Sequence, residues 1–116
     1  MNIKKWIGYE FESSSSLTKE FADFNRQVKS FIKAQTKELF EIVSWNKGHF
    51  YFSGFLKNKE TGKFIYFSCS DVRHFKDEWY NSLLIRTAEH DKDYTGGANN
   101  IIGIEIIKER AIDLLK

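Results

Sequence analysis

The sequence predicts an α+β fold: an antiparallel meander sheet of four to five strands, with one long helix in the N-terminal half and a C-terminal helix. Three observations predict it. Apolar residues recur at steps of four and three from Leu17 to Phe31, at Glu38 the recurrence changes to every second residue, and two turn-forming segments, Asn46-Lys47-Gly48 and Asn58-Lys59-Glu60-Thr61-Gly62, then divide the alternating part. A period near 3.6 keeps one face of a helix apolar, and a period of two does the same for one face of a strand.

Taken in order, Ile3, Ile7, Tyr9 and Phe11 share one side at period two and predict a first strand over residues 3–11. The run Ser13-Ser14-Ser15-Ser16 then offers hydroxyls to the free N–H groups at a helix start, so it reads as strand stop and N-cap. Leu17, Phe21, Phe24, Val28, Phe31 and Gln35 follow, the buried stripe of one amphipathic helix from Leu17 to about Gln35. Its outer face carries Lys19, Arg26, Lys29, Lys33 and Lys37 against Glu20 and Asp23, a mildly basic surface. Residues 39–45, 49–57 and 63–70 predict the three meander strands, and Ser82-Leu83-Leu84-Ile85-Arg86-Thr87 a fourth after a looser stretch at 71–81. From Glu89 to Asn100 the chain loses its hydrophobicity, and a loop of that length in a small domain tends to carry function. Ile104, Ile107, Ala111 and Leu114 predict the closing helix; Ile101 to Ile104 reads alternatively as one more strand before a shorter helix.

Alternation also sorts the sheet faces. Phe50, Phe52, Leu56, Ile65, Phe67 and Cys69 form an apolar set suited to packing under the long helix, whereas His49, Tyr51, Ser53, Phe55, Phe64, Tyr66, Ser68 and Ser70, with Val43 and Trp45, form an aromatic and hydroxyl-bearing face. Left open, that second face is a stacking platform for single-stranded nucleic acid; covered by the first strand or the last helix, it is a second core layer. The cost of leaving so many rings in water favours the covered form.

Length and composition narrow the function classes. The 116 residues, 41% hydrophobic and 16% aromatic, fit a single domain over residues 1–116 with enough apolar material for one core. No apolar run approaches the roughly 18 residues of a membrane span or the core of a signal peptide, so a cytoplasmic location is expected. With one cysteine, Cys69, there is no internal disulfide and no site of several thiolates. Eighteen basic against sixteen acidic side chains leave a net charge of +2, too small to signal nucleic acid unless it is clustered.

Neither metal nor cofactor is expected: His49, His74 and His90 with Asp71, Asp91 and Asp93 have no helical ligand spacing, and His90 belongs to the opposite sheet end from the other two. His49 and His74 near Asp71 read more readily as a hydrogen-bonded turn than as an acid–base pair, and Cys69 as inert packing. Arg73 pairs locally or presents its fork to an anion. Nor are a nucleophile, a base and oxyanion donors brought together by spacing. The most distinctive segment is Asp93-Tyr94-Thr95-Gly96-Gly97-Ala98-Asn99-Asn100, whose adjacent glycines permit positive φ and close backbone approach. It reads as a turn in which Asn99 or Asn100 caps the last helix, or as an anion-holding or partner-binding loop. On the partner-binding reading the site comprises Arg86, His90, Asp93, Tyr94, Gly96, Gly97 and Asn99, with Tyr94 as the aromatic anchor.

Gly48-His49-Phe50-Tyr51, Ser53-Gly54-Phe55, Tyr66-Phe67-Ser68, Ser70-Asp71-Val72-Arg73, Trp79-Tyr80, Leu84-Ile85-Arg86-Thr87-Ala88 and Asp93-Tyr94-Thr95-Gly96-Gly97 together resemble small uncharacterised α+β proteins of phages and plasmids in low-GC Gram-positive bacteria. The resemblance spans roughly residues 39–100. It implies a setting, in which small proteins of this kind act as accessory proteins or anti-defence inhibitors. Within that setting the preferred reading is a non-enzymatic binding protein of a mobile genetic element, an inhibitor of a host protein of anti-phage or CRISPR type or of a protein–nucleic-acid complex. The helix followed by three antiparallel strands is also similar to the double-stranded-RNA-binding domain, but the tail from Ile104 to Arg110 lacks that module's basic helix start. Two alternatives remain open: a nucleic-acid-binding module using Lys47, Tyr51, Phe55, Phe64, Tyr66 and Arg73, and a small-ligand binder or enzyme at the 89–100 loop.

Overall fold

The computed structural model describes residues 17–48, 51–70 and 82–116. The expected first strand at 3–11, the serine cap, the stretch 71–81 and with it Asp71, Arg73 and His74, and the pair His49 and Phe50 lie outside these.

Helix α1 runs from Leu17 to Thr36 and contains neither glycine nor proline. It ends where the Thr36 hydroxyl turns back to donate to the Ile32 carbonyl at 2.7 Å, and where the Leu39 N–H donates to the Thr36 carbonyl. Five strands follow: β1 (Phe40–Lys47), β2 (Phe52–Asn58), β3 (Phe64–Cys69), β4 (Ser82–Ala88) and β5 (Asn100–Gly103). They form one sheet in the order β1-β2-β3-β4-β5 with every neighbouring pair antiparallel, the expected meander. A 3₁₀ turn at Ile104–Ile106 leads into α2, Ile107–Leu114. The segment at 101–104 therefore took its alternative reading, a strand before a shorter helix.

The β2–β3 turn forms where expected because Asn58 closes it from both sides of its residue. Its side-chain oxygen accepts from the N–H groups of Glu60 and Thr61, while its backbone pairs with Lys63, and Gly62 takes the positive φ of 74° that completes the reversal.

Both helices pack on the same side of the sheet. Phe21, Phe24, Val28 and Ile32 of α1 and Ile107 and Ala111 of α2 share one buried cluster with Phe52, Leu56, Ile65, Phe67, Leu83 and Ile85. The stripe of α1 differs from the expected one in its last turns: Ile32 and Thr36 are buried, Phe31 packs only partly against the core, and Gln35 is exposed. Phe24, Val28, Ile32 and Thr36 step by four, a row that winds about 40° per step around a helix of 3.6 residues per turn, so the buried face turns along α1 instead of keeping to a straight stripe.

Trp45 also changes side. A bulge between Ile42 and Ser44 sets one extra residue into β1, so Trp45 turns to the helix layer, where its ring stacks on Phe52 at 4.8 Å and its indole N–H donates to Asn25 of α1. Its cross-strand neighbour is Gly54, at which a Cβ would collide with the Ser44 carbonyl and lie 2.7 Å from the Phe67 ring. Alternation read without the bulge places Trp45 on the opposite face.

Candidate functional site

The face away from the helices is built in rows by the strand register. Ser44, Phe55, Tyr66 and Arg86 lie opposite one another across four strands; the next row is Asn46, Ser53, Ser68, Leu84 and Ile101. Among the described residues this face is neither an open platform nor a layer covered by the last helix, and the expected cover by the strand at 3–11 lies outside them. The 89–99 loop leaves the end of β4, turns back and crosses this face.

Arg86 and Asp93 hold the loop from inside. The Arg86 guanidinium lies 4.3 Å from the centre of the Tyr66 ring, donates through Nη1 to the Thr87 carbonyl at 3.1 Å and through Nη2 to the Asp93 carbonyl at 2.7 Å, and is buried. The Asp93 carboxylate accepts from the backbone N–H groups of Glu89 at 2.9 Å, Thr95 at 3.1 Å and Gly96 at 2.8 Å. The Glu89 and Thr95 bonds chiefly, then Gly96 and the Arg86 charge, outweigh burial and hold its pKa down at about 2. The nest of amides expected to receive an anion is thus occupied by the chain's own carboxylate.

Both glycines are explained by that packing. A Cβ on Gly96 would overlap the Asp93 carboxylate; Gly97 has φ 73°, and a Cβ there would strike the Thr87 carbonyl of β4. His90 is exposed, with Nδ1 accepting from the Lys92 N–H, and Asn99 is exposed. Neither asparagine caps α2: Asn100 belongs to β5 and donates to the Ala98 carbonyl, and the helix start at Ile106 has no side-chain cap.

Tyr94 is what the loop presents. Its ring meets Phe55 edge-on at 5.4 Å and Tyr66 at 5.9 Å, its hydroxyl accepts from Asn46 Nδ2 at 3.4 Å, and it is still 55% exposed. On the same face, on β5 two strands from Tyr66, Ile101 is 68% exposed. A shallow cleft of about 250 Å³ lined by Ser68, Ser70, Ser82, Leu83, Leu84 and Ile101 opens there. Asn46 and Ile101 are additions to the expected site; only the pairing register, which sets them at the two ends of one row, places both on the face that the loop crosses.

Of the nucleic-acid set, Phe55 is fully buried under Tyr94, and Tyr66 lies between Phe55, Tyr94 and Arg86. Phe64 is half-buried with the Lys57 ammonium 5.8 Å from its ring, and Lys47 shares the helix-side face with Phe52. Tyr51, 47% exposed, lies over Gly48 at the β1–β2 turn. The structure therefore does not gather these rings into an accessible stack.

No family model, curated protein or solved structure matches the chain. Among the described residues no group of three or more His, Cys, Asp or Glu side chains is assembled, and no helix is long and apolar enough to cross a membrane.

Proposed function

We propose that this chain is a non-enzymatic binding protein whose partner is another protein, engaged through the sheet face crossed by the 89–99 loop. The observation that carries the reading is Tyr94: more than half exposed, on a loop whose backbone is already fixed by Arg86 and Asp93. An aromatic anchor held in place before binding loses little conformational entropy when it is covered. Ile101, farther along the same face on β5, adds apolar area, and the cleft between β3 and β5 offers a place for a partner side chain. The resemblance to small phage and plasmid proteins supports a mobile-element setting and a host defence protein, or its complex with nucleic acid, as target. Two alternatives have less support. A nucleic-acid platform would need the covered Phe55 and Tyr66 rings, and an anion or substrate pocket in the loop would need amides that Asp93 already holds.

Affinity capture from a host lysate, with and without nuclease, tests the reading. A protein retained by the wild-type chain after nuclease treatment is expected to be lost with Tyr94→Lys and with Ile101→Lys, at unchanged melting temperature for the latter. Retention of the same protein by both variants overturns the proposal, as does capture that vanishes with nuclease alone.

A further inference from the structure

A second surface lies along the opposite margin of the sheet. A groove of about 510 Å³ runs between α1 and β1, lined by the six successive residues from Phe40 to Trp45, by Thr36, and by Lys29, Lys33, Lys37 and Lys59. Because residues of both parities in β1 line it and no residue of β2 does, the groove follows the strand's outer edge. β1 is first in the sheet order, so among the described residues no strand pairs with that edge.

The lysines run along the strand. The Lys29 ammonium lies 5.7 Å from the Trp45 ring near the end of β1, while near its start the Lys59 ammonium donates to the Lys37 carbonyl. Lys29, Lys33 and Lys37 recur every fourth residue, a rise of about 6 Å per step along a helix. Every second side chain of an extended strand advances about 6.6 Å. A row of ammonium groups is thereby in step with alternate side chains of any strand laid against β1. Of the residues lining the groove only Glu41 is acidic; nearby Glu38 faces Lys108 of α2 at 3.6 Å.

We infer that this groove binds an extended, acidic polypeptide segment by strand addition to β1, with acidic side chains at alternate positions facing the α1 lysines. The edge, unpaired among the described residues, decides between classes of anionic partner. A strand edge presents both N–H and C=O groups; a peptide backbone pairs with both, whereas a phosphodiester backbone, which only accepts, would leave the carbonyls facing like charge. A second copy of this chain is repelled by the same lysines, as edge lysines commonly do. Ile42 and Val43, half-buried on β1, supply apolar contact for the intervening residues. This goes beyond the Tyr94 face and does not depend on it.

The probe is a capped, fluorescent peptide of alternating Glu and Val, matched to the 8 residues of β1, titrated into the full chain by anisotropy. Saturable binding that weakens between about 50 and 500 mM salt is expected. It should fall about ten-fold or more with Lys33→Glu/Lys37→Glu, two exposed positions whose change leaves the melting temperature in place, and remain intact with Ile101→Lys. N-methylation of alternate probe amides should abolish it, and slower amide exchange should appear at Ile42 to Trp45. No binding, equal binding of a Lys/Val peptide, indifference to N-methylation, or preference for a single-stranded oligonucleotide would each overturn the inference.

Discussion

Asp93 links the loop to the acidity of the solvent. Its carboxyl is held at about 2 instead of the ordinary 3.8, so the folded chain binds this proton less readily than the unfolded chain does. Its contribution to stability is complete above about pH 4 and is lost as the pH falls from there through 2. The melting temperature of Asp93→Asn should accordingly start lower at neutral pH and fall less than that of the wild type between pH 5 and 2; parallel losses would show that another carboxyl governs the acid limb. Gly54 carries a different constraint, close approach. Gly54→Ala places a methyl against the Ser44 carbonyl and the Phe67 ring and should cost about 1 to 3 kcal/mol in chemical denaturation. The sequence marks Asp93, Tyr94, Gly96 and Gly97 as unusual through their composition. That Arg86 and Asp93 face inward is not legible there, because it depends on the loop turning back over Tyr66 instead of extending from the sheet.

Elements are legible to the extent that one periodicity governs them. The length of α1 follows from its apolar stripe and the absence of breakers, and the Asn58 turn from a side chain that bonds its own loop. The last turns of α1 separate two versions of the stripe. Phe24→Ala should cost about 3 to 5 kcal/mol and Ile32→Ala about 2 to 5, whereas Phe31→Ala, partly exposed, should cost nearer 1. Equal losses at Ile32 and Phe31 in urea titrations would mean that the helix is rotated from the packing seen here. The bulge in β1 has no such signature: nothing in Ile42-Val43-Ser44 announces an inserted residue, and a shift of one carries Trp45 from one face to the other.

For the whole molecule, the α+β meander follows from turns and alternation, but the distribution of its layers does not. α1 and α2 share one face, and among the described residues the cover on the other comes from a polar loop with a single aromatic residue, Tyr94. An amphipathic pattern says that a helix has a partner without saying which side of the sheet holds it. The same limit applies to the lysine groove: Lys29, Lys33 and Lys37 are visible as a basic helix face, but Lys59 and the outer edge of β1 join them only through the fold.

The order of the strands has a consequence for how the chain reaches this state. Each strand after the first pairs with its immediate predecessor, so among the described residues no pairing in the sheet waits for a distant part of the polypeptide to return. Closure entropy is met in short instalments, hairpin by hairpin, and a low average separation between contacting residues favours rapid folding. The β4–β5 connection is the longest reversal wholly within the described residues, and the ring of hydrogen bonds around Asp93 shortens the search by making the loop compact on its own. The outermost strands need not form first. A folding chain that begins from the Asn58 hairpin would complete β1 and β5 last, so the β1 margin proposed to take an added strand is also one whose assembly can be delayed without halting the rest.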